Sequence, residues 1–227
     1  MKKIAILALH LGYGGIEKSI ATLANMLVKN YEVEIVSTYK LYEKPVFDIS
    51  EDVKIKYLIT NYKPNQREFK AALKKKKFIT AFKEGFLGFR KLRERRKRNI
   101  NYIVHSDADI IISTKDIFDR WLGEYGSDDI VKIGWEHNHY HDDMKFAMNI
   151  TKSCWRLDYL VLVSASLKRF YSKQLRKSKC KCVFIPNALD NIPTKLSPLK
   201  ENRIISVGRL SSEKGVHGFI KNILSNF

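Results

Sequence analysis

Cysteine is scarce. The 227-residue chain has three, Cys154, Cys180 and Cys182, an odd number with no Cys-x-x-Cys spacing. That excludes a disulfide framework and a paired-cysteine metal site, and it points to a reducing, cytoplasmic compartment. Cys180 and Cys182 read as two thiols on opposite faces of a short strand. Long apolar runs are also missing, since no stretch approaches the ~20 residues that a membrane-spanning helix needs. Met1-Lys2-Lys3 followed by Ile4–Leu9 superficially resembles a secretory signal. The run is short, His10 and Gly12 interrupt it, and no small-residue cleavage site follows. It is expected to be a buried first strand. Internal repeats are absent. Acid is in short supply, with 24 Asp and Glu against 42 Lys and Arg, a net charge of +18. A surplus of that size predicts an anionic partner: nucleic acid, a phosphate-rich substrate or an anionic membrane face.

What is present is a regular alternation of elements. Strand-like runs at Ile4–Leu9, Val33–Ser37, Val53–Ile59, Ile110–Ser113, Val131–Trp135, Tyr159–Val163 and Cys182–Ile185 are separated by helical patterns. The helices are expected over Ile16–Lys29, Gln66 to about Val104, Asp116–Glu124, Asp142–Lys152 and Ala165–Lys177. The order predicts an α/β fold with a mainly parallel sheet covered by helices on both faces. Pro193, Ser197 and Pro198 punctuate a linker over 191–201. One domain is therefore expected over 1–190. A fresh strand at Arg203–Val207 and one further helix, within 202–227, would begin an incomplete second domain.

Ligands of parallel α/β sheets gather beyond the carboxyl ends of the strands, so the segments after each strand carry the chemistry. Gly12-Tyr13-Gly14-Gly15-Ile16-Glu17 joins a strand to a helix whose first N–H groups are free for an anion. It is neither Gly-x-Gly-x-x-Gly nor a Walker loop, which disfavours a dinucleotide-dependent dehydrogenase and an NTPase. A tight turn with no ligand is the plain alternative. Trp135-Glu136-His137-Asn138-His139-Tyr140-His141-Asp142-Asp143 alternates histidines before two carboxylates. The ligand count falls short of a metal site, so no metal is expected. A single cleft histidine, His137, is the better functional reading, and a polar loop opening a helix is the other. Ile185-Pro186-Asn187-Ala188-Leu189-Asp190 ends a strand in a turn. Val207-Gly208-Arg209 and Glu213-Lys214-Gly215 could set two cations around a diphosphate, a forked one and a point charge, or form a solvated loop.

Taken together and in this order, Gly14-Gly15-Ile16-Glu17, Trp135-Glu136-His137, Pro186-Asn187-Ala188-Leu189-Asp190, Val207-Gly208-Arg209 and Glu213-Lys214-Gly215 resemble the GT4 family of retaining glycosyltransferases, with the GT-B fold. The resemblance implies two Rossmann-like domains facing a cleft, the second truncated here. It implies glycosyl transfer from a nucleotide sugar to a lipid-linked or polysaccharide acceptor, with no resident cofactor. It implies that Arg209 and Lys214 hold the donor diphosphate, approached by Gly14 and Gly15. His137 would be the catalytic-site histidine, with Glu17, Glu136 and Asn187 lining the acceptor side of the cleft. In the family a Glu-x₇-Glu motif lies deep in the second domain, well past the stretch that 202–227 would represent. That leaves weak or absent activity alone, a partner chain completing the second domain, or a non-catalytic subunit that binds acceptor or membrane as expectations.

The charge is concentrated. Between Gln66 and Arg98 stand fourteen Lys and Arg against three Glu, a net +11. Phe78, Ile79, Phe82, Phe86, Phe89 and Leu92 recur there at helical spacing. Lys74, Lys75, Lys76, Lys77, Phe82, Phe86, Arg90 and Lys91 are thus candidates for docking on an anionic membrane. The protein would then be peripheral at the inner face of the membrane. The competing expectation is that the phenylalanines pack on the domain's own sheet, with a break at Gly85 or Gly88 allowing both. No nucleic-acid partner is expected, because no helix-turn-helix, zinc finger or RNA-recognition pattern accompanies the charge.

Overall fold

The N-terminal apolar run lies at the middle of the sheet. In the computed structural model, which describes residues 1–139, 143–189, 215–226 and Thr194, Pro198, Lys200 and Ile205, β1 (Lys3–Ala8) is buried along five successive residues. Such continuous burial requires cover on both faces. Six further strands follow: β2 (Glu32–Tyr39), β3 (Lys54–Ile59), β4 (Ile110–Ser113), β5 (Val131–Glu136), β6 (Tyr159–Leu162) and β7 (Lys181–Phe184). They pair in the order β3-β2-β1-β4-β5-β6-β7, all parallel. The chain runs outward from β1 in one direction and then, after β3, outward in the other. This is the doubly wound, Rossmann-like α/β fold, and the strand order reverses between β1 and β4.

The reversal decides which face each connection covers. α1 (Gly15–Leu27) lies on one face with the segment 40–53, where Ser50 N–H donates to Asn25 Oδ1 at 2.8 Å. Ile4, Ile6, Ile35, Ile20 and Trp135 meet there. On the opposite face lie α3 (Phe78–Val104), α4 (Asp116–Tyr125), α5 (Met144–Cys154) and α6 (Ala165–Gln174). They bury Ile103, Phe118, Leu122, Leu160 and Tyr171 against Leu7 and Ile111. Cys180 and Cys182 both pack on that same face. The expectation of opposite faces fails because residues two apart in a strand point the same way.

The basic segment is two helices, not one. α2 (Gln66–Lys74) stops at a turn over Lys75–Lys77, with Lys76 at φ 52°. Lys77 N–H closes the turn onto the Ala72 carbonyl at 2.9 Å. Gly85 and Gly88 lie inside α3 and do not break it. The far end of α3 is rooted in the core: Asn99 accepts from Thr38 Oγ1 at 3.1 Å and the Tyr102 hydroxyl donates to Glu34 at 2.5 Å. Its near half faces water, from 53% exposure at Leu92 to 89% at Ile79, with Phe82 at 79%. The aromatic stripe therefore does not pack on the sheet.

The chain divides into two compact units, Met1–Asp190 and Asn191–Phe227. In the second, α7 (Val216–Asn226) is the described element. The expected strand at Arg203–Val207 and the cations Arg209 and Lys214 lie outside the described residues, as do Asp190, His141 and Asp142. No helix among the described residues is long and apolar enough to cross a membrane.

Candidate functional site

β1 and β4 end side by side at the point where the strand order reverses, and Thr114 Oγ1 ties them by donating to the Leu7 carbonyl at 2.8 Å. Beyond β1 the glycine turn leads into α1. Glu17, in the first turn of that helix, folds back so that its carboxylate occupies the space beside Gly14. A Cβ on Gly14 would lie 2.0 Å from Glu17 Oε2, so any larger residue there would have to displace that carboxylate. A carboxylate at a helix N-terminus is favoured by the dipole and the free N–H groups. The space beside Gly14 thus holds the chain's own carboxylate. Gly15 differs, because nothing stands within 4 Å of where its Cβ would be.

Two residues that the sequence did not single out complete this rim. His10 Nδ1 lies 3.4 Å from Glu17 Oε1 and accepts the Gly12 N–H at 3.2 Å. Tyr42, from the segment after β2, crosses Tyr13 edge to face at 5.9 Å, and its ring sits where a Gly12 Cβ would be. The signal that could have found His10 was its place directly after the first strand. Tyr42 had none, since it arrives from a distant connection.

Two strand spacings away, roughly 10 Å, β5 ends in Trp135-Glu136-His137. Alternation sends Trp135 to the α1 face and Glu136 to the other. Glu136 is buried, its carboxyl pushed above the usual carboxylate range by desolvation. It accepts from Asn138 N–H at 2.7 Å and Asn138 Nδ2 at 3.0 Å. It therefore shapes the loop and does not face the cleft. His137 lies against the Trp135 ring at 4.3 Å, and desolvation pulls its pKa down to about 4. Its Nε2 is buried without a hydrogen-bond partner. This imidazole is neutral at physiological pH, with one polar atom left over. Trp135, Met26, Ile112, Val161 and Asn187 line a cavity of about 370 Å³ between α1, the sheet and the segment after β7. Asn187 is thereby brought to the same wall as Trp135.

Below the carboxyl edge sits a buried polar knot. Asp119 of α4 accepts from Ser113 Oγ of β4, and the Cys154 thiol of α5 donates to it at 3.5 Å. Burial raises the Asp119 carboxyl to about 8, so it is protonated at neutral pH. Among the described residues no three His, Cys, Asp or Glu side chains converge as metal ligands.

No protein-family model matches the chain. It is 22% identical over 216 residues to the exopolysaccharide phosphotransferase SCO2592 of Streptomyces coelicolor, covering 89% of this chain and 22% of that protein. The chain thus spans about a fifth of the length of that curated relative. Among solved structures it is similar to the apo form of the lipopolysaccharide outer core galactosyltransferase WaaB. The TM-score is 0.49 and the identity 14%, over 88% of this chain and 50% of that one.

Proposed function

We propose that the chain carries the acceptor-side domain of a glycosyl-transferring protein. In this reading it docks on an anionic membrane through α2 and α3 and presents a lipid-linked or polysaccharide acceptor to a nucleotide-sugar donor. The observation that carries the reading is the rim at the β1–β4 switch point. Glu17 folded over Gly14, His10, the Tyr13–Tyr42 pair and the desolvated His137 are groups suited to neutral hydroxyls and sugar faces, not to a second anion. A neutral imidazole with an unused ring nitrogen can exchange one hydrogen bond with a hydroxyl at no desolvation cost of a charge. Gly15 leaves room for close backbone approach. Asn187 extends the wall, and Glu136 positions Asn138. Arg209 and Lys214 are assigned the donor diphosphate from sequence, where they would offset the charge that builds on the leaving group. The donor is a substrate, and the reading needs no metal.

The exopolysaccharide phosphotransferase relative supports a polysaccharide acceptor and favours a second chemistry, transfer of a phosphosugar to the same hydroxyls. The products separate the two. Glycosyl transfer breaks the bond between the anomeric carbon and oxygen and releases a nucleoside diphosphate. Phosphosugar transfer breaks the diphosphate bridge and releases a nucleoside monophosphate. Acceptor binding is tested by chemical-shift mapping with a panel of neutral oligosaccharides. The expected shifts centre on Gly15 and His137, and His137→Ala and Glu17→Gln weaken the tightest ligand at least about tenfold, or about 1.4 kcal/mol. A panel that leaves both residues unmoved refutes the reading.

A further inference from the structure

A second cavity, of about 510 Å³, lies between the α2–α3 hairpin and the carboxyl ends of β1–β3. Its walls are largely apolar and aromatic: Leu9 after β1, Tyr39 closing β2, Tyr62 stacked on Tyr39 at 3.8 Å, and Phe69, Phe89 and Leu92 from the hairpin. Two glycines of α3, one turn apart, open onto it. At Gly85 the Phe69 ring takes the space of the missing side chain, 3.3 Å from where a Cβ would be. At Gly88 nothing stands within 4 Å. A glycine inside a helix costs about 1 kcal/mol relative to alanine, so α3 keeps this groove open against its own helical preference.

Two cations of the lining, Lys91 and Arg95, sit toward the core end of α3. Lys91 Nζ donates to the Lys63 carbonyl at 2.6 Å. The Arg95 guanidinium lies 6.0 Å from the Trp121 ring centre, and its Nε is buried with no hydrogen-bond partner. The one carboxylate on the lining, Glu84, is held by Asn65 Nδ2 at 2.9 Å. At the other end the cavity shares Phe69, Gly85 and Phe89 with a shallower hollow of about 500 Å³, walled by Leu73, Phe78, Phe82 and Phe86. That hollow opens on the exposed aromatic tip. The two hollows adjoin along Phe69, Gly85 and Phe89, and taken together they would form an apolar passage from the surface phenylalanines to two cations at the carboxyl edge of the sheet.

We propose that this passage holds a single-chain lipid phosphate, its tail along Phe82, Phe86 and Phe69 over Gly88 and its head at Lys91 and Arg95. An apolar chain with an anionic end complements an aromatic trough closed by cations. A free phosphate would leave the trough empty. The inference deepens the acceptor reading above by giving a lipid-linked acceptor its own seat, and its binding step is measured separately.

The test is calorimetric titration of the full chain with dodecyl phosphate below its micellar concentration. Dodecyltrimethylammonium, with the same tail and opposite charge, and inorganic phosphate are run alongside. Dodecyl phosphate is expected to bind, and the other two to bind at least tenfold more weakly. Gly88→Leu fills open space and raises helix propensity, so it should melt no lower than the parent while losing dodecyl phosphate affinity at least tenfold. Arg95→Gln should lose a similar factor. Unchanged affinity in Gly88→Leu, or equal binding of the two amphiphiles, overturns the proposal. Gly88→Leu keeps the surface lysines and phenylalanines and should still co-sediment with anionic vesicles. Vesicle binding without dodecyl phosphate binding therefore removes the passage alone, and the reverse removes the membrane reading alone.

Discussion

His137 is held neutral by a contact that would be unremarkable elsewhere, a tryptophan ring beside an imidazole. Desolvation lowers its pKa to about 4, so proton NMR of its ring should show a midpoint near 4, not near 6.5. The sign for stability follows. Between the unfolded value and the folded one the unfolded chain takes a proton that the native site refuses. Stability from this group is therefore lost as pH falls from about 6.5 toward about 4. Asp119 runs the other way. Its folded pKa of about 8 exceeds the unfolded value, so its unfavourable share grows as pH rises from about 4 and levels off above about 8. Asp119→Asn keeps the acceptor for Ser113 and removes the titration. Urea midpoints at pH 5 and pH 8 should differ less in Asp119→Asn than in the parent. The gain at pH 8 should be on the order of a few kcal/mol. Equal pH slopes would show that Asp119 does not carry this proton.

At the scale of elements, the seven strands were legible because buried β-branched runs and glycine-rich turns mark parallel strands directly. The α2–α3 turn was not. Sequence reasoning looked to Gly85 and Gly88, the usual breakers, yet the chain turns at Lys75–Lys77 and puts both glycines inside α3. Helix propensity is a weak term, and here the glycines open a cavity that periodicity cannot reveal. The phenylalanine stripe was equally ambiguous, since core-facing and surface-facing helices share one spacing. In the site, the motif positions Gly14, Glu17 and His137 could be read, and His10 was within reach from its place after the first strand, whereas Tyr42 depended on how a distant connection folds over the turn. Gly134 carries a packing constraint that strand alternation does not show. A Cβ there would lie 2.8 Å from Asp119 Oδ1 and 2.9 Å from Leu157 Cδ1. Gly134→Ala should destabilise the domain by about 1–3 kcal/mol in chemical denaturation, while Gly88→Ala should stabilise it by about 1 kcal/mol.

For the whole molecule, the asymmetry of charge becomes an expectation about surfaces. The hairpin pairs net +11 with solvent-facing phenylalanines, and basic residues near an anionic bilayer contribute roughly 1 kcal/mol each. Co-sedimentation with phosphatidylglycerol-containing vesicles is expected at low salt and should weaken as salt rises. Lys75→Glu with Lys77→Glu should reduce it more than tenfold, and Phe82→Ser with Phe86→Ser should reduce what survives at high salt. Protein that stays in the supernatant with anionic and neutral vesicles alike rules out docking. α3 has a further consequence. One unbroken helix, about 40 Å long at 1.5 Å per residue, carries the surface phenylalanines at one end and Asn99, Tyr102 and Ile103 in the core at the other. Its phase works as an angular gauge. Each added residue would swing the aromatic end by about 100° about an axis fixed in the sheet, so the direction in which the carboxyl edge of the strands faces is written in the residue count between Leu92 and Asn99.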